Sequence, residues 1–246
     1  MEAKRVNILG VNFYHSTMAS LLNTLTERIL QKKKTFVVTA NPEIVMVAKN
    51  DAEYKNAIDL ADYVIPDGIG VVKASVLLNQ PLPERVAGFD LMIHLLEVAN
   101  QHKLKIYLLG SKEDVLPKTI NTITKNYPEA KIVGYHHGFF DGKEEEIKQQ
   151  IIDSEPDLIF VALGVPKQEL WISINIGGIK SGLFMGVGGS FDVLAGEVKR
   201  APEIWQRLNL EWFYRLAKQP WRLKRMLVLP VFVVKVMEQK FKIKKY

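Results

Sequence analysis

The chain has 246 residues, no cysteine and a formal net charge of +6. That length fits one well-buried α/β domain with a small attachment, and excludes two average domains joined by a generous linker. Lacking thiols, the chain forms no disulfide, thiolate nucleophile or thiolate metal site, which fits a cytoplasmic protein.

Two short apolar runs at 6–9 and 11–14, split by Gly10, read as a small strand pair. After them, β-branched runs alternate with amphipathic stretches, the pattern of a parallel sheet flanked by helices. In chain order the reading is helix 18–30, strand 35–39, helix 42–49, strand 62–65, helices 70–78 and 90–100, and strand 105–109. It continues with helix 115–126, strand 131–134, helix 144–152, strand 158–163, helix 167–174 and strand 183–187. The fold class is α/β, Rossmann-like, with a mostly parallel sheet.

The rhythm ends near residue 195, so we divide the chain into a catalytic core, 1–195, and a helical appendage, 196–246. Residues 201–246 carry eleven Lys and Arg against three Glu, a net +8 that leaves −2 for residues 1–200. Trp205, Leu208, Trp212 and Leu216 recur at helical steps after Pro202 and predict one apolar stripe on one helix, ended by Pro220. A second helical segment follows, with Arg222 and Arg225 on one face. A basic, aromatic segment of this kind meets anionic lipid headgroups, nucleic acid or a diphosphate favourably. The longest apolar run, 226–234, is less than half of the ~20 residues a membrane span needs, and Pro230 interrupts it. The start of the chain offers no apolar stretch of the kind a secretion signal requires.

In an open parallel sheet, ligands bind beyond the carboxyl ends of the strands. Five such junctions are polar or glycine-rich: Thr39 to Glu43, Pro66 to Gly68, Gly110 and Ser111, Gly164 to Glu169, and Gly186 to Asp192. Asp67 is the candidate general base, since a carboxylate at a strand end beside glycine has room for a substrate hydroxyl; a turn-satisfying Asp is the competing reading. Asn41 either contacts substrate or caps the helix opened by Pro42. Arg85 clamps an anionic or polar group, or pairs with Glu84 or Asp90. The glycines at 186–189 bring backbone N–H groups to a phosphate or form a structural turn. No G-x-G-x-x-G follows the first strand of the sheet, which favours a sugar nucleotide over a dinucleotide. No D-x-D is present and the five His lack ligand spacing, so no metal and no cofactor is expected. His136 and His137, adjacent on a strand, point to opposite faces and read as structural.

Together, Thr-Ala-Asn-Pro-Glu at 39–43, Pro-Asp-Gly at 66–68, Glu-Arg-Val-Ala-Gly-Phe-Asp at 84–90, Leu-Gly-Val-Pro-Lys-Gln-Glu at 163–169, Gly-Val-Gly-Gly-Ser-Phe-Asp at 186–192 and Lys-Arg-Ala-Pro at 199–202 resemble the WecG/TagA/CpsF glycosyltransferase family. The resemblance covers nearly the whole chain and is nearest to the TagA branch, the N-acetylmannosaminyltransferases of wall teichoic acid synthesis. It implies inverting transfer of N-acetylmannosamine from UDP to the 4-hydroxyl of undecaprenyl-diphosphate-linked N-acetylglucosamine. On that pattern Asp67, Thr39 and Arg85 are catalytic. Asn41, Gly68, Gly110, Gly164, Pro166, Gln168, Glu169, Gly186, Gly188, Gly189, Phe191 and Asp192 surround the substrates. Arg215, Arg222 and Arg225 of the appendage meet the departing diphosphate. The implied partners are a UDP-sugar, a polyprenyl-diphosphate acceptor and an anionic membrane, with the protein peripheral on the inner face of the cell membrane and no nucleic acid bound. In solution the apolar stripe is expected to be mobile or buried against another subunit, as in a homo-oligomer. A same-family enzyme with another UDP-sugar, and a non-catalytic nucleotide- or nucleic-acid-binding module, remain the alternatives.

Overall fold

The computed structural model describes residues 4–208, 210–218 and 227–243, with Arg215, Lys242 and Ile243 described by backbone alone. β1 (Arg5–Ile8) and β2 (Val11–Tyr14) form an antiparallel hairpin that turns at Leu9 and Gly10. Six strands then build one parallel sheet: β3 (Thr35–Ala40), β4 (Tyr63–Pro66), β5 (Lys105–Gly110), β6 (Lys131–His136), β7 (Leu158–Ala162) and β8 (Leu183–Gly186). Their order across the sheet is β4-β3-β8-β7-β5-β6.

All six residues of β3 and all five of β7 are buried, because both faces of the sheet are covered. Alternation then sorts each strand. Phe36, Val38 and Ala40 point into one core and Val37 into the other; Ile159 and Val161 oppose Leu158 and Phe160 in the same way. The first core is closed by α2 (Pro42–Asn50), α3 (Ala52–Asp59), α4 (Ile69–Leu77), α7 (Glu144–Ser154) and α8 (Lys167–Asn175). The second is closed by α1 (Met18–Leu30), α5 (Gly88–His102), α6 (Leu116–Asn126) and α9 (Ser190–Leu194).

Helix α3 has no counterpart in the sequence reading. Asp51 looks like a turn residue, yet its carboxylate accepts from the Tyr54 N–H at 3.1 Å and starts a helix that buries Tyr54 and Ile58. The glycine-rich stretch likewise turns into the short α9. The His pair departs from expectation as well: β6 ends at His136, so His137 is free of strand geometry and the two rings meet at 4.5 Å between centroids.

The basic segment contains α10 (Glu203–Arg207), α11 (Glu211–Lys218) and α12 (Val228–Ile243). The single helix expected through Trp205, Leu208, Trp212 and Leu216 is therefore two. The Leu210 N–H returns to the Trp205 carbonyl at 2.8 Å, and the break lets Trp205 stack on Phe213, with centroids 6.0 Å apart. A continuous helix would hold those two residues ~12 Å apart along its axis. Pro230 lies in the first turn of α12, where its missing N–H costs no helical bond. α12 packs on α2 and α4, burying Phe232 and Val236 in the first core. The Gln239 side chain closes the contact, accepting from the Leu9 N–H at 2.8 Å and donating to the Asn7 carbonyl at 3.1 Å.

Candidate active site

β3, β4 and β8 are neighbours, so their carboxyl ends converge. Between them and the basic segment lies a cavity of about 610 Å³, a size that suits a small-molecule ligand. Its rim joins Thr39 near the end of β3 and Asn41 after it, Asp67 and Gly68 after β4, Arg85 before α5 and Gly88 at its start, Gln168 on α8, and Gly188 and Gly189 after β8. The opposite wall is apolar, formed by Ile69 and Leu77 of α4 and by Leu229, Phe232 and Val233 of α12.

Asp67 is held by its backbone: its N–H donates to the carbonyls of Ala40 and Ile65, both at 3.0 Å. Gly68 follows with φ of +141°, a conformation that side-chain-bearing residues avoid, and it packs against Asn41 and Pro42. The Asp67 carboxylate is partly exposed to the cavity and stands 3.7 Å from Arg85 Nη2. The Val86 N–H bonds the Pro66 carbonyl at 3.0 Å, which keeps the Arg85 segment beside Asp67.

Arg85 does not pair with Glu84 or Asp90, the partners sequence proximity proposed. Glu84 accepts from the Met18 N–H, and Asp90 is engaged by Arg200 through two contacts of 2.6 and 2.8 Å. Arg85 Nη2 instead donates to Glu211 of α11 at 3.2 Å, and the Glu211 carboxylate is also 4.0 Å from Arg200 Nε. Arg200 stacks over Phe89 at 4.9 Å. The result is a charge ladder, Asp67–Arg85–Glu211–Arg200–Asp90, that spans body and appendage. Glu211 and Arg200 received no role from the sequence, although Arg200 falls within the Lys-Arg-Ala-Pro motif and Glu211 is one of the three Glu in the basic segment.

Asn41 serves as a cap, its Oδ1 accepting from the Ile44 N–H at 3.1 Å, and also lines the cavity. The Thr39 hydroxyl donates to the Gly186 carbonyl at 3.3 Å, tying β3 to β8. Gln168 Oε1 accepts from the Gly188 N–H at 3.0 Å, and its Nε2 donates to Glu169 Oε1 at 2.7 Å. The absence of a side chain at Gly186 permits this, because a Cβ there would fall 2.6 Å from Gln168 Nε2.

Several expected substrate contacts lie off the cavity wall. Gly110 ends β5, two strands from β8, where the Ser111 N–H bonds the Ala162 carbonyl at 2.9 Å. Gly164 and Pro166 shape the turn into α8, leaving the wall to Val165 and Gln168 between and beyond them. Glu169 and Gly186 lie beneath the wall, Phe191 is fully buried in the second core, and Asp192 is in the first turn of α9. Arg222 and Arg225 lie outside the described residues, as does the side chain of Arg215.

Glu169 is 1% exposed. Burial is the leading influence on its carboxyl, pushing it up to about 7 against the lowering effect of hydrogen bonds from Gln168 and Tyr54. The Tyr54 hydroxyl donates to Glu169 Oε2 at 3.0 Å and is itself raised by burial and by that neighbouring charge. Among the described residues no three His, Asp or Glu converge as metal ligands, and no helix is long and apolar enough to cross a membrane.

The sequence matches the Glycosyl transferase WecG/TagA/CpsF family over residues 6–246. It is similar, at 40% identity over 233 residues, to the N-acetylglucosaminyldiphosphoundecaprenol N-acetyl-beta-D-mannosaminyltransferase of Bacillus subtilis (strain 168), an alignment covering 94% of this chain and 91% of that protein. The protein of the same name from Staphylococcus aureus (strain MW2) is 40% identical over 243 residues, covering 98% of this chain and 95% of the relative.

Proposed function

Because the chain belongs to the WecG/TagA/CpsF family of glycosyltransferases, we propose that it transfers N-acetyl-β-D-mannosamine to N-acetylglucosaminyl-diphospho-undecaprenol, the reaction for which its relatives are named. The donor in this reading is UDP-N-acetylmannosamine, and the linkage formed is β-1,4, in the linkage unit of wall teichoic acid. One observation carries it: the Asp67 carboxylate and the glycine turn at Gly188 and Gly189 share a single cavity at the carboxyl ends of β4 and β8.

The chemistry follows from those positions. The acceptor 4-hydroxyl is a poor nucleophile at neutral pH, so Asp67 takes its proton as the oxygen attacks the anomeric carbon. The bond from that carbon to the diphosphate oxygen breaks on the opposite face, its electron pair leaving with UDP, and the configuration inverts. UDP needs no proton of its own when positive groups and backbone N–H donors meet it. The glycine turn supports the diphosphate in this reading, and Arg85 stands between the base and the substrate's polar groups. The apolar wall of α4 and α12 suits the first units of the acceptor's lipid.

Membrane docking is part of the same proposal. Ile204 on α10, Leu208 just after it, Trp212 and Phe213 on α11, and Val231 and Val234 on α12 are exposed apolar residues in a net-positive segment. Apolar side chains entering the interface beside Lys and Arg that attract anionic headgroups give a peripheral attachment.

The test is UDP release with a short-chain lipid-linked N-acetylglucosamine acceptor, across a panel of UDP-sugars. The expectation is selective turnover of UDP-N-acetylmannosamine, with Asp67→Ala at least ~100-fold slower. Turnover above about a tenth of wild type in Asp67→Ala removes the general base from the mechanism. Preference for another donor reassigns the substrate.

A further inference from the structure

Gln168 and Glu169 are neighbours on α8 with different surroundings. Gln168 lines the cavity, whereas Glu169 lies beneath it, flanked by Tyr54 of α3. A hydrogen-bond chain connects them: Tyr54 hydroxyl to Glu169 Oε2 at 3.0 Å, Gln168 Nε2 to Glu169 Oε1 at 2.7 Å, and Gly188 N–H to Gln168 Oε1 at 3.0 Å. Every side chain in it is buried.

The amide of Gln168 has a donor end and an acceptor end of nearly the same shape, so packing alone does not decide which end faces the glycine turn. Glu169 decides it. Reversing the amide would set the Gln168 oxygen against Glu169 and its NH₂ against the Gly188 N–H, with both bonds lost in a buried place. We propose that Glu169 is a positioning residue of the donor site: by accepting from Gln168 it fixes the amide's orientation, and through that the Gly188 turn on the cavity wall. This assignment rests on the reading of that cavity as the site of a sugar nucleotide.

Tyr54 makes the device tolerant of a change in charge. Its hydroxyl donates to a carboxylate and, rotated about its C–O bond, accepts from a carboxylic acid or an amide. In each case the Glu169 oxygen facing Gln168 remains an acceptor. The requirement at position 169 is therefore an oxygen held toward Gln168, rather than a negative charge.

Three variants of the full chain separate this role from simple packing. Tyr54→Phe/Glu169→Leu replaces both ends of the lower bond by apolar groups, so no lone polar group is left at that bond, but Gln168 loses its acceptor. The expected loss in kcat/KM for UDP-N-acetylmannosamine is ~10- to 100-fold, the scale of a misplaced site group. Glu169→Gln, which keeps an oxygen toward Gln168, loses only ~3-fold or less. Added to Gln168→Ala, the Tyr54→Phe/Glu169→Leu pair costs no more than ~2-fold further, because the amide it would have oriented is gone. A full, undiminished loss in the Gln168→Ala background, or no loss in the wild-type background, overturns the proposal.

The ¹⁵N–¹H resonance of Gly188 gives a readout that needs no turnover. It is expected to move in Tyr54→Phe/Glu169→Leu in the same direction as in Gln168→Ala, and little in Glu169→Gln; a resonance unmoved in the first also overturns the proposal. If the wild-type protein turns over no UDP-sugar, the reading of the cavity fails, while the resonance still judges the positioning chain on its own.

Discussion

Glu169 should impose a measurable pH dependence on folding. Its carboxyl is raised from 4.5 to about 7, chiefly by burial. At ~1.4 kcal/mol for each pH unit separating folded and unfolded titration, ionising it inside the fold costs about 3 kcal/mol. Because the folded value lies above the unfolded one, the folded state binds the extra proton. The contribution is fully present below pH 4.5, declines as pH rises through the interval, and is gone above about 7. Tyr54 is raised rather than lowered and adds no titration there. The perturbation is Glu169→Gln, and the assay is urea unfolding of variant and wild type at pH 5 and pH 8, followed by circular dichroism and tryptophan fluorescence. Groups common to both proteins cancel in the difference. Wild type should lose about 2–3 kcal/mol relative to Glu169→Gln on going from pH 5 to pH 8. A difference equal at the two pH values, or one that grows in wild type's favour with pH, refutes the reasoning.

Other consequences are equally direct. Glu211→Gln removes the carboxylate that Arg85 contacts at 3.2 Å; a lost charged hydrogen bond of about 2 kcal/mol corresponds to ~30-fold more frequent opening of the appendage, read as faster limited proteolysis after residue 195 with the body intact. Phe232→Ala removes the 2%-exposed anchor of α12 and should cost ~3 kcal/mol at that contact, seen as protease sensitivity of the same segment; unchanged cleavage in either variant means the packing does not hold it. Alanine at Arg215, Arg222 and Arg225 together should lower kcat by ~100-fold or more if they meet the departing diphosphate, and a triple variant retaining a tenth of wild-type kcat removes them from the chemistry.

Sheet and helices were legible because each core strand is an uninterrupted apolar run bounded by turn residues, and each flanking helix repeats its apolar positions with helical period. α3 was not, since Asp51 reads as a turn until its carboxylate is seen capping Tyr54. The strand-end rule led to Thr39, Asp67, Gln168 and Gly188, all of which line the cavity: Thr39 within β3, Asp67 and Gly188 just beyond β4 and β8, and Gln168 in the first turn of α8. Gly110 lies off the cavity wall because strand order, which local sequence does not encode, places β5 two strands from β8. Glu169 lies off the cavity wall because one helix step turns its side chain from cavity to core, which a run of neighbouring residues does not reveal. Its partner Tyr54 is 115 residues away, and Glu211 is 126 residues from Arg85. Such long-range pairs exist only once the chain is folded.

The charge ladder changes how the basic segment is understood. Of the ionisable groups on the cavity wall among the described residues, Lys73, Arg85 and Arg200 are matched in number by Glu43, Asp67 and Glu211. Among the described residues the charges of the wall balance, and Arg85 is shared between two carboxylates, at 3.2 and 3.7 Å. Glu211, the acid that the appendage brings, competes with Asp67 for that guanidinium. In the proposed mechanism, an Arg85 drawn wholly to Asp67 would disfavour protonation of that carboxylate, and an Arg85 drawn toward Glu211 would relieve this. In the mechanism proposed above, the segment would contribute in two opposite signs: Glu211 as an anion that draws Arg85 away from Asp67, and cations of its +8 excess for the leaving group.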